Sequence, residues 1–345
     1  MNDAQWETLL AVIRGERISP PPVAFIIDSP WLPGWAGMSI LDYYTSEGRW
    51  LEANLRAIRE FPDCLFLPGF WSEFGMCTEP SAFGAQCLFP ENEFPFAEKV
   101  IRDVEEIDRL PQPDPRRHGL LPFVIKRLQH ARPHIEAAGH RIRFAVARGP
   151  LNIASFLMGT TEFLMEMKAS PDEMHRLLRR ITDFSRDWLA YQKECFPSID
   201  GVLLLDDIVG FIGADDYREF AQPYLAELFG ALDVSVRFFH NDSPCKASAA
   251  QLHATGINLF NMGIEVSLAE LQGWTKGEVT LMGNVPPRDV LASGTPQDVE
   301  RAVMEQLRGL PDRRRILCSC GGGMPPGVSS ENLRAFIRTV ERFDG

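Results

Sequence analysis

One histidine and two cysteines stand out among the residues able to bind a metal. His240 ends the apolar run VSVRFF, and Cys318-Ser319-Cys320 ends a second run that begins RIL. Residues two apart in a strand face the same way, so both thiols are expected on one face. An imidazole with one or two thiolates at a common rim is a Zn²⁺-binding set, with a fourth position left for substrate. Asp242, Cys245 or Glu265 would complete it. The competing reading makes His240 hydrogen-bonded scaffolding and the cysteines small core hydrophobes; a separation of about 80 residues leaves both open.

Asp206 and Asp207 are adjacent, so in a strand they face opposite ways. One enters the site, Asp207 by preference, while the other caps the next segment. A buried carboxylate there would hold a proton for general acid work. Arg148 would pair with it or with an anionic substrate, and Glu73, in LPGFWSEFGMC, is a second candidate acid. Asp28, Asn261 and Asn284 end further apolar runs and are read as substrate-binding. Gly321-Gly322-Gly323 would let the backbone approach a ligand and offer N–H groups to an anion, or form a tight turn before Pro325-Pro326-Gly327. Asp and Asn are common at strand ends as turn formers; the joint occurrence with Arg, His and Cys is what points to a site.

These residues need a frame that brings their ends together. Apolar runs recur at 22–28, 63–68, 141–148, 201–208, 234–241, 257–263, 279–285 and 314–321, separated by amphipathic stretches. Near-continuous apolarity marks parallel strands covered on both faces. Eight of them alternating with helices predict an α/β chain folded as a (β/α)₈ TIM barrel, which gathers chemistry at the carboxyl ends of its strands; an open doubly wound sheet is the alternative. Ser170-Pro171-Asp172-Glu173 and Thr295-Pro296-Gln297-Asp298 read as helix starts with capping boxes. The last helix follows Ser329-Ser330, with Leu333, Phe336, Ile337, Val340 and Phe343 as its buried stripe. The connection from Gly69 to Arg141 is a long, aromatic-rich insertion after the second strand, read as a lid. No linker divides the chain, so 1–345 is expected to be one domain.

A formal charge of −12 over 345 residues argues against a nucleic-acid groove. The first residues lack a signal-peptide pattern, and no run of about 18 apolar residues spans a bilayer. Seven irregularly spaced cysteines do not form a disulfide framework, so cytoplasmic residence with reduced thiols is expected. Oligomeric state is left open, a homodimer included.

Several segments together resemble the uroporphyrinogen decarboxylase and cobamide-dependent methyltransferase superfamily: LLAVIRGERISPPPVAF, EEIDRLPQPDP, ARGPLNIASFLMGTTEFL, LLLDDIVGFIGADDYREFAQPYLAELF, FFHNDSPC, LMGNVPPRDVLASGTPQDVERAV and CSCGGGMPPGVSSENLRAFI. The resemblance covers nearly the whole chain and implies the same barrel. Its decarboxylases use no metal and hold tetrapyrrole acetates with arginines near the first strand and an aspartate after the second. Here Asp28–Trp35 contains no Arg, and Leu67-Pro68-Gly69-Phe70 no Asp. The methyltransferase branch binds zinc with a His and a Cys after the fifth strand and a Cys after the eighth. His240 and Cys320 match, Asp242 replaces the middle Cys, and Cys318 is extra. The resemblance thus implies a zinc-dependent methyltransferase moving a methyl group between a small methylated compound or thiol and a corrinoid carried by a partner protein. A decarboxylase of a tetrapyrrole or polycarboxylate and a non-catalytic corrinoid- or tetrapyrrole-binding protein are the alternatives.

Overall fold

The computed structural model describes residues 1–343. All eight expected strands form, with trimmed ends: β1 (Ala24–Ile26), β2 (Leu65–Leu67), β3 (Phe144–Arg148), β4 (Gly201–Leu205), β5 (Val236–Asn241), β6 (Leu259–Met262), β7 (Thr280–Val285) and β8 (Ile316–Cys320). Strands β3 to β8 make one parallel sheet in chain order, and β1 pairs in parallel with β2. The two pieces join where Val23 bridges Cys318, whose N–H donates to Pro22 O at 2.9 Å.

The resulting TIM-barrel-like arrangement is held at the β8–β1 junction by that single bridge and has a seam between β2 and β3. No ladder joins β2 to β3 among the described residues. A strand edge without a neighbour needs other partners for its backbone groups, and β3 finds them in side chains. The Gln192 amide accepts from Val146 N–H and donates to Val146 C=O, both at 2.9 Å, standing in for a strand. Glu79 Oε1 takes the N–H of Arg148 at 3.1 Å.

Alternation along the strands splits the core in two. One layer packs the outward residues, such as Phe239, Phe260, Leu281 and Ile316, against the helices. The other fills the ring with Ile26, Leu65, Phe144, Leu203, Phe238, Leu259, Met282 and Leu317. The first helix, α1 (Asp3–Arg14), stoppers that interior with Trp6, Leu9, Val12 and Ile13, residues spaced along one helical face.

Thr295 and Ser329 cap their helices as expected, Thr295 in a capping box with Asp298. Ser170 does not: its ψ of 59° is outside the extended range from which a cap hydroxyl reaches back, and it makes no cap bond. Pro171 alone opens the helix Pro171–Cys195. The insertion after β2 contains a short hairpin (Cys87–Leu88 with Phe96–Ala97) and a helix, Leu121–Ala137. Much of it joins the core, including Phe70, Phe83 and Ile107. No helix among the described residues is long and apolar enough to cross a membrane.

Candidate active site

Strand parity decides which side chains reach the carboxyl-end mouth. In β5, Val236 and Phe238 point into the ring, so His240 does too. The same rule sends Asn261 inward behind Leu259. His240 Nδ1 lies 2.8 Å from Asn261 Oδ1, and the Asn261 amide donates to Met282 O at 2.9 Å. That second bond fixes which end of Asn261 is the oxygen, so Nδ1 carries the imidazole proton. In the neutral ring, Nε2 then carries the lone pair.

Nε2 faces carboxylates. Asp207 Oδ1 lies 3.9 Å away, too far for a hydrogen bond. The potential ligand atoms of Asp207, His240 and Asp242 all lie within 4.8 Å of one another. Two ligands each about 2.0–2.2 Å from one ion are at most about 4.4 Å apart, so the His240–Asp207 spacing suits a shared divalent cation. One nitrogen with two carboxylate oxygens is a harder donor set than a thiolate set. Burial raises the Asp207 carboxyl above the usual range, with His240 pulling it down and Asp242 pushing it up. Asp207 Oδ1 also accepts the N–H of Asp242 at 3.1 Å, fixing the two carboxylates relative to each other.

Asp206 takes the capping role. Its oxygens accept Leu151 N–H at 2.9 Å and Asn152 N–H at 3.0 Å, at the start of the helix Pro150–Met158. Asn152, which the sequence reading passed over, accepts the N–H groups of Asp207 and Ile208 through its Oδ1. Its polarity within the apolar run PLNIASFL was the available signal.

The thiols stand apart from this group. Cys318 and Cys320 do share a face, but that face is the helix-packed layer, while Leu317 points into the ring. Neither belongs to the cluster of possible ligands, and burial pushes both thiols up to about 12. The residue beside Asp242 is Gly322: a Cβ there would come within 2.9 Å of Asp242 Oδ2, at a φ of +70° that favours glycine. The expected anion cradle is also absent at Gly321 and Gly322, because their N–H groups already donate to Val285 O and Met262 O. Asn284 donates to Gly263 O and Val266 O, tying one loop to another.

Across the mouth, Arg148 is held between Glu73 Oε2 at 3.2 Å and Glu79 Oε2 at 3.4 Å, all three largely buried. Ser29 donates to Glu73 Oε1 at 2.9 Å. The attraction of Glu79 and Glu73 outweighs the burial that would discharge Arg148 and holds its pKa high. Burial raises Asp28 well above the usual carboxylate range, Glu73 adds to the rise, and Arg148 opposes it. Asp28 Oδ1 is enclosed without a partner, as are Tyr44 Oη and Ser72 Oγ. Glu79 and Tyr44 were not anticipated from the sequence. Both lie in segments with no strand or motif to assign them a direction.

A sequence model of the family described as Uroporphyrinogen decarboxylase (URO-D) matches residues 4–343. The uroporphyrinogen decarboxylase of Xylella fastidiosa is 25% identical, covering 98% of this chain and 98% of that protein. That of Prochlorococcus marinus is 26% identical over 100% of this chain and 98% of its own length. Among solved structures, a methyltransferase from Methanosarcina mazei superposes with a TM-score of 0.82 at 17% identity, covering 98% of each chain. A B12-independent methionine synthase from a Shewanella species superposes with a TM-score of 0.56 at 10% identity, covering 94% of this chain and 96% of that one. At those identities the two structures carry the fold.

Proposed function

The chain belongs to the uroporphyrinogen decarboxylase family, and from that premise we propose that it is a metal-dependent methyltransferase, moving a methyl group between a small methylated compound or thiol and a corrinoid borne by a partner protein. The observation carrying this reading is the His240–Asp207–Asp242 group, in which a lone-pair nitrogen stands 3.9 Å from Asp207 Oδ1 and the potential ligand atoms of all three residues lie within 4.8 Å of one another. A divalent cation bound there supplies Lewis acidity toward a thiol or toward the leaving group of a methylated ether or amine. Zn²⁺ is the first candidate, though the oxygen-rich set also suits Mn²⁺ or Fe²⁺. Asn261 orients the imidazole, as outer-shell groups commonly do. As a ligand Asp207 would be held as the carboxylate beside His240, orienting the cation rather than carrying a proton.

The named relatives favour a second reading, decarboxylation of a tetrapyrrole or polycarboxylate. The charge of the seam side opposes it. A polyanionic substrate needs free cations, and there Arg148 is committed to Glu73 and Glu79 and Arg127 to the carbonyls of Glu73 and Tyr44, which leaves Arg288, beside Asp242, as the cation on offer.

The test is metal titration by calorimetry with Zn²⁺, Mn²⁺ and Fe²⁺ on the wild type and His240→Ala, followed by methylcobalamin consumption with a small thiol acceptor. Saturable binding that His240→Ala abolishes supports the proposal, and metal-dependent loss of the methyl–cobalt absorbance extends it to the reaction. Equal, negligible binding by both proteins ends the metal reading. Uroporphyrinogen turnover without added metal would favour the decarboxylase.

A further inference from the structure

Outside the mouth, the insertion brings two cysteines together. Cys77 and Cys87 lie ten residues apart in sequence, and the chain between them folds back so that the two residues are neighbours. Cys77 is fully buried and Cys87 half-buried. Cys87 Sγ also lies 3.6 Å from Ala85 O and 4.0 Å from Cys77 O, so the side chain is directed back into the loop that Cys77 begins. The loop between them carries Glu79, one of the two carboxylates that grip Arg148.

We propose that Cys77 and Cys87 form a reversible dithiol–disulfide site, oxidised by hydroperoxides, that cross-links the two ends of the Glu79 loop. The roles follow from exposure. A peroxide-reactive thiol must be reachable and a resolving thiol must lie beside it. Cys87 is reachable, and Cys77 is sealed in contact with it. The Cys77 thiol beside it favours the Cys87 thiolate, against the partial burial that opposes charge there. In the first step the Cys87 thiolate attacks one peroxide oxygen, the O–O bond breaks, and a sulfenic acid forms. Cys77 sulfur then attacks the Cys87 sulfur, the S–S bond forms, and the hydroxyl leaves as water with the Cys77 proton. Two electrons pass from the sulfurs to the peroxide, which ends as two waters or, from an alkyl hydroperoxide, as one water and an alcohol. The other cysteines lack this pairing. Cys195, also half-buried, has its thiol raised by burial, and Cys64, Cys245, Cys318 and Cys320 are buried.

The experiment exposes the full-length protein to a few equivalents of hydrogen peroxide, alkylates the remaining thiols and maps the peptides by mass spectrometry. The expected result is loss of two of the seven alkylatable thiols and a Cys77–Cys87 cross-linked peptide pair, reversed by dithiothreitol. In Cys77→Ser, Cys87 should accumulate as a dimedone-trapped sulfenic acid. In Cys87→Ser, Cys77 should stay reduced at the same dose, with circular dichroism checking that both variants fold. Oxidation of Cys195 at or before the rate of Cys87 would overturn the assignment. So would oxidation of Cys87 in the wild type to sulfinic acid with no cross-link.

Discussion

The two sides of the barrel mouth are built from similar groups and use them in opposite ways. On the seam side, at the ends of β1 to β3, the carboxylates of Glu73 and Glu79 close around Arg148, and Ser29 adds a further bond to Glu73. On the facing side, at the ends of β4 and β5, Asp207, Asp242 and His240 stand at ligand spacing with the Nε2 lone pair unmatched. The first arrangement satisfies itself. The second is held in shape by the bond His240 Nδ1–H donates to Asn261 Oδ1 and by the Asp242 N–H, which donates to Asp207 Oδ1, the same oxygen that faces Nε2. The direction in which the donors and acceptors are spent separates a structural cluster from a candidate site, and residue type alone does not.

The largest expected effect tests the self-satisfied side. Arg148→Met leaves two buried carboxylates without their cation, and breaking a buried pair in this way costs about 3–5 kcal/mol. Urea denaturation should show that loss in the midpoint, while metal affinity at the other side stays near wild type. A loss under about 1 kcal/mol would mean that water already screens the network, as it does for exposed pairs, and the contrast between the two sides would collapse.

The next effect belongs to the facing side and should invert that pattern. His240→Ala should abolish metal binding with a smaller stability loss than Arg148→Met. Asn261→Ala should weaken binding by roughly 10–100-fold, the usual range for an outer-shell partner of a metal-binding histidine. Calorimetric titration separates the two. An Asn261 variant that binds as tightly as wild type would remove the tautomer argument on which the lone pair depends.

A third prediction uses pH to probe the seam side. Burial first, and the Glu73 charge second, raise Asp28 above its ordinary value. A carboxyl raised in the folded state stabilises the fold below its unfolded pKa, and that stability is lost as pH rises through the folded pKa. The loss runs at no more than about 1.4 kcal/mol per pH unit. Asp28→Asn removes the titration, so its stability relative to wild type should grow as pH rises above 4. Parallel curves for the two proteins in denaturation across pH 4–9 would show that Asp28 is not held protonated.

The frame for both sides was legible in the sequence because burial on both faces writes a parallel strand as an unbroken apolar run. All eight runs became strands, and His240, Asn261 and Arg148 at their ends face the mouth, while Asp206, Asn284, Cys318 and Cys320 serve the frame. Alternation placed Cys318 and Cys320 on a common face but did not say which face. That depends on the register of β8 against β7, where Cys318 sits opposite Gly283 and Leu317 opposite Met282, a tertiary fact with no local signature. The seam was likewise invisible, although one clue existed. Gln192 is a polar residue in a helical stripe beside Trp188 and Leu189, and it is there to complete the edge of β3. The glycines at 321 and 322 are places of close approach, but the approaching groups are Ile264 at the first and Asp242 at the second, and their N–H groups serve the carbonyls of Val285 and Met262.

The smallest expected effect carries the sharpest contrast with the sequence reading. Cys320 was expected to bind metal, yet its sulfur lies in the helix-packed layer, 3.9 Å from Gly322 O and 4.0 Å from Gly323 O. Cys320→Ser swaps a weak donor for a stronger one of smaller size. The hydroxyl can donate to the same carbonyls, so the cost of burying it falls at the low end of the range for a polar group, about 1 kcal/mol. Metal affinity should change by less than about twofold, because no ligand atom is lost. If the variant instead loses metal as completely as His240→Ala while its denaturation midpoint barely moves, the chain must turn β8 to bring the thiolate inward when metal is present. The two sides of the mouth would then differ by a rearrangement of β8 as well as by their bonding.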